Sequence, residues 1–284
     1  MDKPAGITSH DVVAAVRRLA GTRRVGHAGT LDPDATGVLL VCIGTATRIA
    51  DLLADEGKQY RCGVVFGATT STEDASGTVL TQTDASSVSE IAVLSCLPAF
   101  TGDILQIPPM VSAVHHEGKR LYELARAGVT VERKPRPVRI DSIVMEDFAG
   151  GPLAGATLTV HCGKGTYIRT LCADLGAALG VGGHMAWLRR TAVGSVKVDV
   201  TRPLDTLTRE NVGEAVISAA DALRHLPLAA LTEAQVEDFR HGRSVEYGIA
   251  DHETVVAVSG DNELVALARA SGAVLKPFKV FAHD

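Results

Sequence analysis

The sequence is poor in aromatic side chains, which make up 4 per cent of its 284 residues and include a single tryptophan. It has no apolar run near the roughly 20 residues that a membrane helix needs, and its first ten residues lack the apolar core of a secretory leader. These absences argue against a membrane-spanning or secreted protein. A hydrophobic content of 46 per cent is typical of globular chains. We therefore expect a cytoplasmic protein with one large domain and one small one.

Cysteine is scarce, and the sequence contains no Cys-x-x-Cys pair. The five cysteines are Cys42, Cys62, Cys96, Cys162 and Cys172. An odd number without framework spacing predicts reduced, mostly buried thiols. The same spacing argues against a zinc site, so no metal is expected.

Positive charge is also in deficit, because the formal net charge is −5. The deficit is local, however. Residues 1–199 hold 20 basic and 20 acidic side chains, whereas residues 200–284 hold 8 and 13. Residues 119–139 gather seven basic side chains against two acidic ones. A local basic face can bind phosphates whatever the total charge, so a nucleic-acid partner is not excluded.

The richest segment is residues 25–40, VGHAGTLDPDATGVLL, which combines three glycines, one proline and two carboxylates. Pro33 fixes its own φ and favours an extended conformation at Asp32. The spacing predicts Asp32 on an irregular loop, after a flexible segment at residues 26–31 and just ahead of a buried strand at residues 38–43. Functional side chains are often found in such loops, because a rigid element aims them.

Hydrophobic periodicity predicts the other main elements. Helices are expected from Thr8 or Ser9 to about Ala20 and from about Thr170 to Leu179. Strands are expected over residues 60–66, 138–148, 156–162, 254–259, 263–270 and 274–281. Between Pro108 and Pro137 the chain is predicted to form an arm, helical from about Lys119.

Single motifs allow three other interpretations, two of the Asp32 loop and one of residues 164–166. Asp-Pro beside glycine is an ordinary turn signal. Residues 32–36 also fit D-x-D-x-T, the nucleophile signature of haloacid-dehalogenase-type phosphatases, but that chemistry needs a buried strand before the first aspartate. Lys164-Gly165-Thr166 lacks the full spacing of a phosphate-binding loop. Both phosphate motifs are therefore weak.

Five motifs, taken together and in order, resemble the TruB-type tRNA pseudouridine synthases. Residues 26–39, GHAGTLDPDATGVL, are similar to the active-site motif of that family. The other four motifs are DKPAGITS at residues 2–9, KQY at 58–60, QIPPMVSA with GKRLYELAR at 106–113 and 118–126, and KGTYIRTL at 164–171. They cover roughly residues 1–190, so the resemblance does not depend on one loop.

The resemblance implies an α+β fold with a mixed, mostly antiparallel sheet and a small β-rich C-terminal domain of the PUA type. The implied domains are 1–226, catalytic, with an inserted thumb at about 107–136, and 227–284, RNA-binding. It implies conversion of uridine 55 in the T-arm loop of tRNA to pseudouridine by base flipping, without a cofactor. The implied partner is tRNA, and a monomer is expected.

The resemblance also assigns roles to individual residues. Asp32 is the implied catalytic carboxylate, Arg169 its cationic partner, and Tyr60 the side chain that packs against the flipped base. The implied substrate-binding residues are His27, Tyr167, Leu188, Lys3, Arg23, Arg24, Lys119 and Arg120. A carboxylate can attack either the sugar C1′ or the base C6, and the sequence leaves both open.

Two other functions remain open from the sequence. One is a pseudouridine synthase that acts on another RNA, for instance with a guide. The other is a tRNA-folding chaperone, for which binding matters more than catalysis. A pure binder would not need Asp32, Tyr60 and Arg169 together.

Overall fold

The computed structural model describes residues 1–112, 114–116 and 118–281, with the side chains of residues 116, 120 and 126 left out. The strands are β1 Asp2–Lys3, β2 Val25–Ala28, β3 Thr36–Val38, β4 Leu40–Ile43, β5 Lys58–Phe66, β6 Ala68–Thr70, β7 Val79–Gln82, β8 Gly102–Gln106, β9 His115–His116, β10 Lys119–Arg120, β11 Arg136–Ala149, β12 Gly155–Cys162, β13 Gly183–Val193, β14 Val196–Lys197, β15 Leu228–Ala230, β16 Val245–Glu246, β17 His252–Val258, β18 Leu264–Ser271 and β19 Val274–Val280. The α-helices are α1 Ser9–Leu19, α2 Ala50–Asp55, α3 Glu90–Cys96, α4 Leu121–Arg126, α5 Ile168–Ala178, α6 Ala219–Ala222 and α7 Glu233–Arg240. Short 3-10 helices cover residues 44–49, 97–100, 198–200, 204–206 and 212–215.

A large mixed sheet organises the first 200 residues. Its strand order is β1-β3-β13-β5-β12-β11-β8, with β14 paired to β13. Only β3 and β13 run parallel among the described pairs of this sheet, so it is mixed and mostly antiparallel, as predicted. Helices α1 and α5 pack their apolar residues into the same core as the sheet. The predicted fold class is confirmed.

Helix α1 begins where local chemistry dictates. The Thr8 hydroxyl accepts a hydrogen bond from the Asp11 backbone N–H, and the Asp11 carboxylate accepts one from the Thr8 backbone, which completes a capping box. Val12, Val13 and Val16 recur at helical spacing and are buried. The helix therefore presents one apolar face to the sheet, and its polar start lies next to the Asp32 loop (residues 29–35).

The segment around Asp32 differs from the prediction. Residues 25–28 form strand β2, paired with β4, instead of a flexible loop. The predicted strand at 38–43 divides at Leu39, because β3 joins the large sheet and β4 pairs with β2. Gly37 takes a positive φ of 103° at this point. The loop between β2 and β3 is thus anchored in two different sheets.

The thumb begins differently from the prediction as well. A hairpin of β9 and β10 comes first, and helix α4 starts only at Leu121, which is buried. Arg133 donates a hydrogen bond of 3.0 Å to the Pro108 carbonyl and so ties the two ends of the thumb together.

Residues after 227 supply a second sheet of five strands, in the order β15-β17-β18-β19-β16. The three predicted C-terminal strands are confirmed as β17, β18 and β19. This sheet shares a buried apolar cluster with β2, β4 and α2, to which Phe281 contributes. The proposed boundary between 226 and 227 and the PUA-like character remain predictions.

All five cysteines are free, and four of them are buried. Within the described ranges, no helix has the length and apolar character needed to cross a membrane.

Candidate active site

The Asp32 loop is fixed by bonds to the start of α1. Ser9, the first residue of that helix, donates from its hydroxyl to the Leu31 carbonyl at 3.1 Å and accepts from the Leu31 N–H at 2.9 Å. The Gly6 N–H donates to the Pro33 carbonyl at 3.0 Å. Gly29 opens the loop with a φ of 89°, which glycine adopts without strain. Asp32 is thereby held at the tip of a defined loop.

Asp32 and Arg169 form a bidentate ion pair. Arg169 Nε lies 2.9 Å from one carboxylate oxygen of Asp32, and Arg169 Nη2 lies 3.4 Å from the other. The Arg169 side chain is only 5% exposed, whereas the Asp32 side chain is 40% exposed. Two parallel N–H to oxygen bonds fix the plane of the carboxylate. The pair therefore has a buried cation and an accessible anion.

Three further contacts orient the Arg169 guanidinium. Its Nη1 donates to the Thr72 carbonyl at 3.2 Å and lies 3.6 Å from a carboxylate oxygen of Asp74. Its Nη2 donates to the Val111 carbonyl in the thumb at 2.9 Å. The turn between β6 and β7, the thumb and the Asp32 loop meet at one arginine, so its orientation depends on all three.

The pKa of Asp32 reflects two opposed effects. Burial raises the pKa of this carboxyl above its ordinary value, and the positive charge of Arg169 opposes the rise. Asp74 raises it further and Lys3 lowers it. The ion pair with Arg169 therefore favours the ionised form that a nucleophile requires.

Two buried cations lie against the loop. Lys3 Nζ donates to the carbonyls of Pro4 at 2.8 Å and Pro33 at 2.7 Å, and its side chain is fully buried. Arg190 donates to the carbonyls of Gly29, at 3.1 Å, and Thr30, at 3.3 Å. Lys3 is predicted from the sequence to contact the substrate. Its ammonium group instead bonds the backbone of the protein, so its position does not suit that role.

A cavity of about 670 Å³ opens beside Asp32. Its lining includes Tyr60 on β5, Leu188 on β13, and both Tyr167 and Arg169 at the start of α5. The structure therefore brings five of the predicted residues together, from segments up to 156 positions apart.

The two tyrosines of the cavity are held differently. Burial raises the pKa of Tyr60, and the positive charge of Arg190 opposes the rise. The backbone of Tyr167 is clamped by the buried Gln106 amide, which accepts from the Tyr167 N–H at 3.0 Å and donates to its carbonyl at 3.2 Å. Gln106 lies at the base of the thumb and so links the thumb to α5.

His27 is not among the residues that line the cavity. It lies on β2, where its ring packs edge-to-face on His10 with centroids 5.5 Å apart. Burial lowers the pKa of His27, as do the charges of His10 and Arg190. His10 does line the cavity, so the histidine pair reaches the site through the residue that the sequence did not single out.

The predicted RNA contacts outside the cavity are spread over the surface. Arg23 and Arg24 are exposed between α1 and β2, and Lys119 is exposed on the β9–β10 hairpin. The Arg120 side chain lies outside the described residues. Their roles in RNA binding remain predictions.

Sequence reasoning missed Arg190, Gln106 and Asp74. Gln106 stands in a quoted motif, but nothing in the motif announces that its amide is buried. Arg190 follows another arginine in WLRRT, a pattern that is usually solvent-exposed. Only the alternation along β13, with Leu188 and Arg190 on one face, could have indicated that Arg190 points inward.

The fold and the Asp–Arg cavity define the class of the chain as a pseudouridine synthase. A chain in the structure titled "Structure of H/ACA RNP bound to a substrate RNA containing 2'-deoxyuridine" superposes with a TM-score of 0.74 at 26% identity, over 99% of this chain and 84% of that one. A chain of a Cbf5-Nop10-Gar1 complex gives a TM-score of 0.74 at 28% identity, over 99% and 83%.

Sequence comparison gives the family. The N-terminal domain model of the TruB family pseudouridylate synthases matches residues 17–168, and the tRNA pseudouridylate synthase B C-terminal domain matches residues 169–226. Curated relatives named tRNA pseudouridine synthase B are 44% identical in Thermobifida fusca, over 99% of this chain and 97% of the relative, and 41% identical in Streptococcus pneumoniae, over 99% and 98%. The chain belongs to the TruB family of pseudouridylate synthases.

Proposed function

We propose that this protein isomerises uridine 55 in the T-arm loop of tRNA to pseudouridine, without a cofactor. The observation that carries the proposal is the Asp32–Arg169 pair at the wall of a cavity large enough for a nucleoside. Family membership gives the reaction class, and the names of the curated relatives give tRNA as the substrate class.

The reaction requires the C1′–N1 bond to break, the base to rotate and a C1′–C5 bond to form. The electron pair of the C1′–N1 bond leaves with the base, so C1′ becomes electron-poor. The Asp32 carboxylate can attack C1′ or, alternatively, add to C6 of the base before the bond breaks. Either route needs an ionised carboxylate with a fixed direction, which the bidentate bonds from Arg169 provide.

The base must leave the RNA loop before it can react, because a stacked nucleotide cannot reach a carboxylate at a cavity wall. Tyr60, Tyr167 and Leu188 offer aromatic and apolar surface for an extruded base. Stacking on aromatic side chains is the usual way in which proteins hold unstacked RNA bases. Tyr60 is also the proposed acceptor of the proton that leaves C5 late in the reaction.

RNA affinity is proposed to come from the thumb and from Arg23 and Arg24, which precede β2 in the sequence. Lys119, Arg23 and Arg24 are exposed and not part of the cavity, so they suit phosphate contacts better than base contacts. Such contacts give salt-dependent binding that depends on the shape of the RNA more than on its sequence.

A second candidate function is a synthase that acts on another RNA. It is favoured by the structural likeness to chains from H/ACA ribonucleoprotein complexes. The identity to relatives named tRNA pseudouridine synthase B, 44% and 41% over 99% of this chain against 26% and 28% to the ribonucleoprotein chains, supports tRNA first. A chaperone that only binds RNA would not need the Asp32 carboxylate paired with Arg169.

Tritium release tests the proposal. Isomerisation replaces the hydrogen at C5, so an unmodified tRNA transcript with uridines tritiated at C5 should release one equivalent of tritium. We expect release by the native protein, and a loss of at least about 10³-fold in rate for Asp32→Asn at unchanged tRNA affinity. Asp34→Asn is the matched control, because Asp34 is an exposed carboxylate two positions away on the same turn.

A transcript with cytidine at position 55 sharpens the assignment, since it should release nothing. Release from this transcript would place the reaction at another uridine. No release from the native transcript, with binding intact, would overturn the enzyme proposal for tRNA. Equal losses in Asp32→Asn and Asp34→Asn would overturn the assignment of the carboxylate.

A further inference from the structure

We propose that Arg190 is a positioning residue that fixes the Asp32 loop and Tyr60 relative to each other. The inference rests on the proposed function and extends it to a residue that contacts both parts of the site.

Arg190 grips the chain on both sides of Asp32. Its Nη2 and Nη1 donate to the carbonyls of Gly29 and Thr30, before the aspartate, and its Nε donates to the Val38 carbonyl, after it, at 2.7 Å. Asp32 therefore stands on a loop whose two ends share one guanidinium. The Arg190 side chain is 1% exposed, so water does not replace these bonds.

Strand β13 places Arg190 between the two parts of the site. In its register Arg190 lies opposite Tyr60 on the antiparallel β5 and next to Gly37 on the parallel β3. A Cβ on Gly37 would overlap the Arg190 carbonyl oxygen, so the strands can approach this closely only with glycine there. The backbone of Arg190 joins β3, which ends the loop, to β5, which carries Tyr60, and its side chain adds the bond to Val38 on β3.

Arg190 and Arg169 differ in whether a carboxylate neutralises their positive charge. Asp32 and Asp74 face Arg169, whereas no ion pair in the described part of the chain includes Arg190. Its described side-chain hydrogen-bond partners are three neutral carbonyls, and it lines the cavity together with Tyr60. A fixed cation in the cavity lining stabilises negative charge on the departing base and on the phenolate form of Tyr60, which is the form that can accept the C5 proton.

Arg190→Met removes the guanidinium and keeps the length of the side chain. We expect the single-turnover rate of tritium release to fall about 100-fold, because small misplacements of reacting groups cost that much. The affinity for tRNA should change less than about threefold, since a buried side chain makes no phosphate contact. Arg189→Met is the matched control on the same strand. Arg189 is half-exposed and pairs with Asp2, so its loss should leave the rate within about fivefold.

Arg190→Lys keeps a positive charge and guards against failure of the Met variant to fold. One ammonium group cannot span the three carbonyls of Gly29, Thr30 and Val38, so we expect an intermediate loss of about 10-fold or more. Hydrogen exchange in peptides covering residues 29–38 should become faster in this variant. A double-mutant cycle with Tyr60→Phe separates positioning from general destabilisation. If Arg190 acts through Tyr60, the double variant should be no slower than the slower single variant.

A folded Arg190→Lys variant with native rate and native exchange would overturn the inference, as would additive losses with Tyr60→Phe. If the native protein releases no tritium, the proposed function fails and this inference fails with it. Release by the native protein with normal release by Arg190→Met would remove only the role of Arg190.

Discussion

The Asp32 loop and the thumb border the same cavity, yet they are held by opposite means. Lys3, Arg169, Arg190 and Ser9 each bond the loop, and three of them are cations buried to 95% or more. In the described part of the thumb, the bonds from Arg169 to Val111 and from Arg133 to Pro108 end on backbone carbonyls, and Lys119 is exposed. The two regions therefore divide the work of the site.

The difference follows from what each region must do. Covalent chemistry requires a carboxylate held to within a fraction of an ångström, and buried charges with several partners supply that rigidity. An RNA backbone is met through long side chains whose charges remain hydrated, and each such contact contributes little by itself. Changes in the loop should therefore alter rate at constant affinity, and changes in the thumb should alter affinity at constant rate.

Lys3→Met is the strongest test of whether changes in the Asp32 loop alter the rate at constant affinity. Among the described residues, the substitution removes the one donor to the Pro4 carbonyl and one of two donors to the Pro33 carbonyl, which also accepts from the Gly6 N–H. We expect the single-turnover rate to fall about 10- to 100-fold, because the Pro33 side of the loop keeps only the weaker, uncharged bond from Gly6 and small misplacements of reacting groups cost that much. Tritium release with saturating enzyme and filter binding of tRNA measure the two quantities separately.

Arg23→Met is the companion of the Lys3 test, because Arg23 is an exposed cation that precedes β2 and does not line the cavity. It should weaken tRNA binding and leave the single-turnover rate unchanged. Weaker binding at a normal rate in Lys3→Met would restore the substrate contact that the sequence predicted for Lys3 and contradict the structural role.

Much of this site could be predicted from sequence, and the limits of that prediction are physical. The capping signal at Thr8 and the glycines and proline around Asp32 act locally, so their structural consequences are visible within a few residues. The motif match also selected Tyr60 and Arg169. In contrast, the break between β3 and β4 at Leu39 depends on β13, about 150 residues later, because β3 (Thr36–Val38) pairs with β13 in the large sheet. Arg190 can be buried because the carbonyls of Gly29, Thr30 and Val38 accept its hydrogen bonds. These residues are distant in sequence, so no local pattern indicates the burial.

Asp174→Asn tests a half-buried acid that lies on the same helix as Arg169. Burial raises the pKa of Asp174 to about 6, and the neighbouring Glu73 raises it as well. The folded protein thus keeps this proton at pH values where the unfolded chain has lost it, so the stabilising contribution present below about pH 4 is lost as the pH rises through about 6. Replacing the carboxyl by an amide should raise the free energy of unfolding at pH 7.5 by about 1–2 kcal/mol.

Urea titrations at pH 4.5 and pH 7.5 check the sign of this effect. The gain should be largest at pH 7.5 and clearly smaller at pH 4.5, where the native carboxyl is mostly neutral although the unfolded chain is already partly ionised. Asp147→Asn, on the exposed face of β11, should show neither change. A loss of stability at pH 7.5 would mean that the Asp174 charge supports the helix, as the charge of Arg169 supports the loop.

Lys119→Ala carries the smallest expected effect and tests the thumb side of the comparison. Removing one phosphate contact should weaken tRNA binding about two- to fivefold and reduce the slope of log affinity against log salt by about 0.7–0.9. The single-turnover rate at saturating protein should not change, because Lys119 does not line the cavity. Lys276→Ala, an exposed lysine in the acidic C-terminal sheet, is the control. An equal change in slope for both variants would show that RNA is gripped along the whole chain, and a slower rate in Lys119→Ala would show that the thumb also orders the catalytic groups through its contact with Arg169.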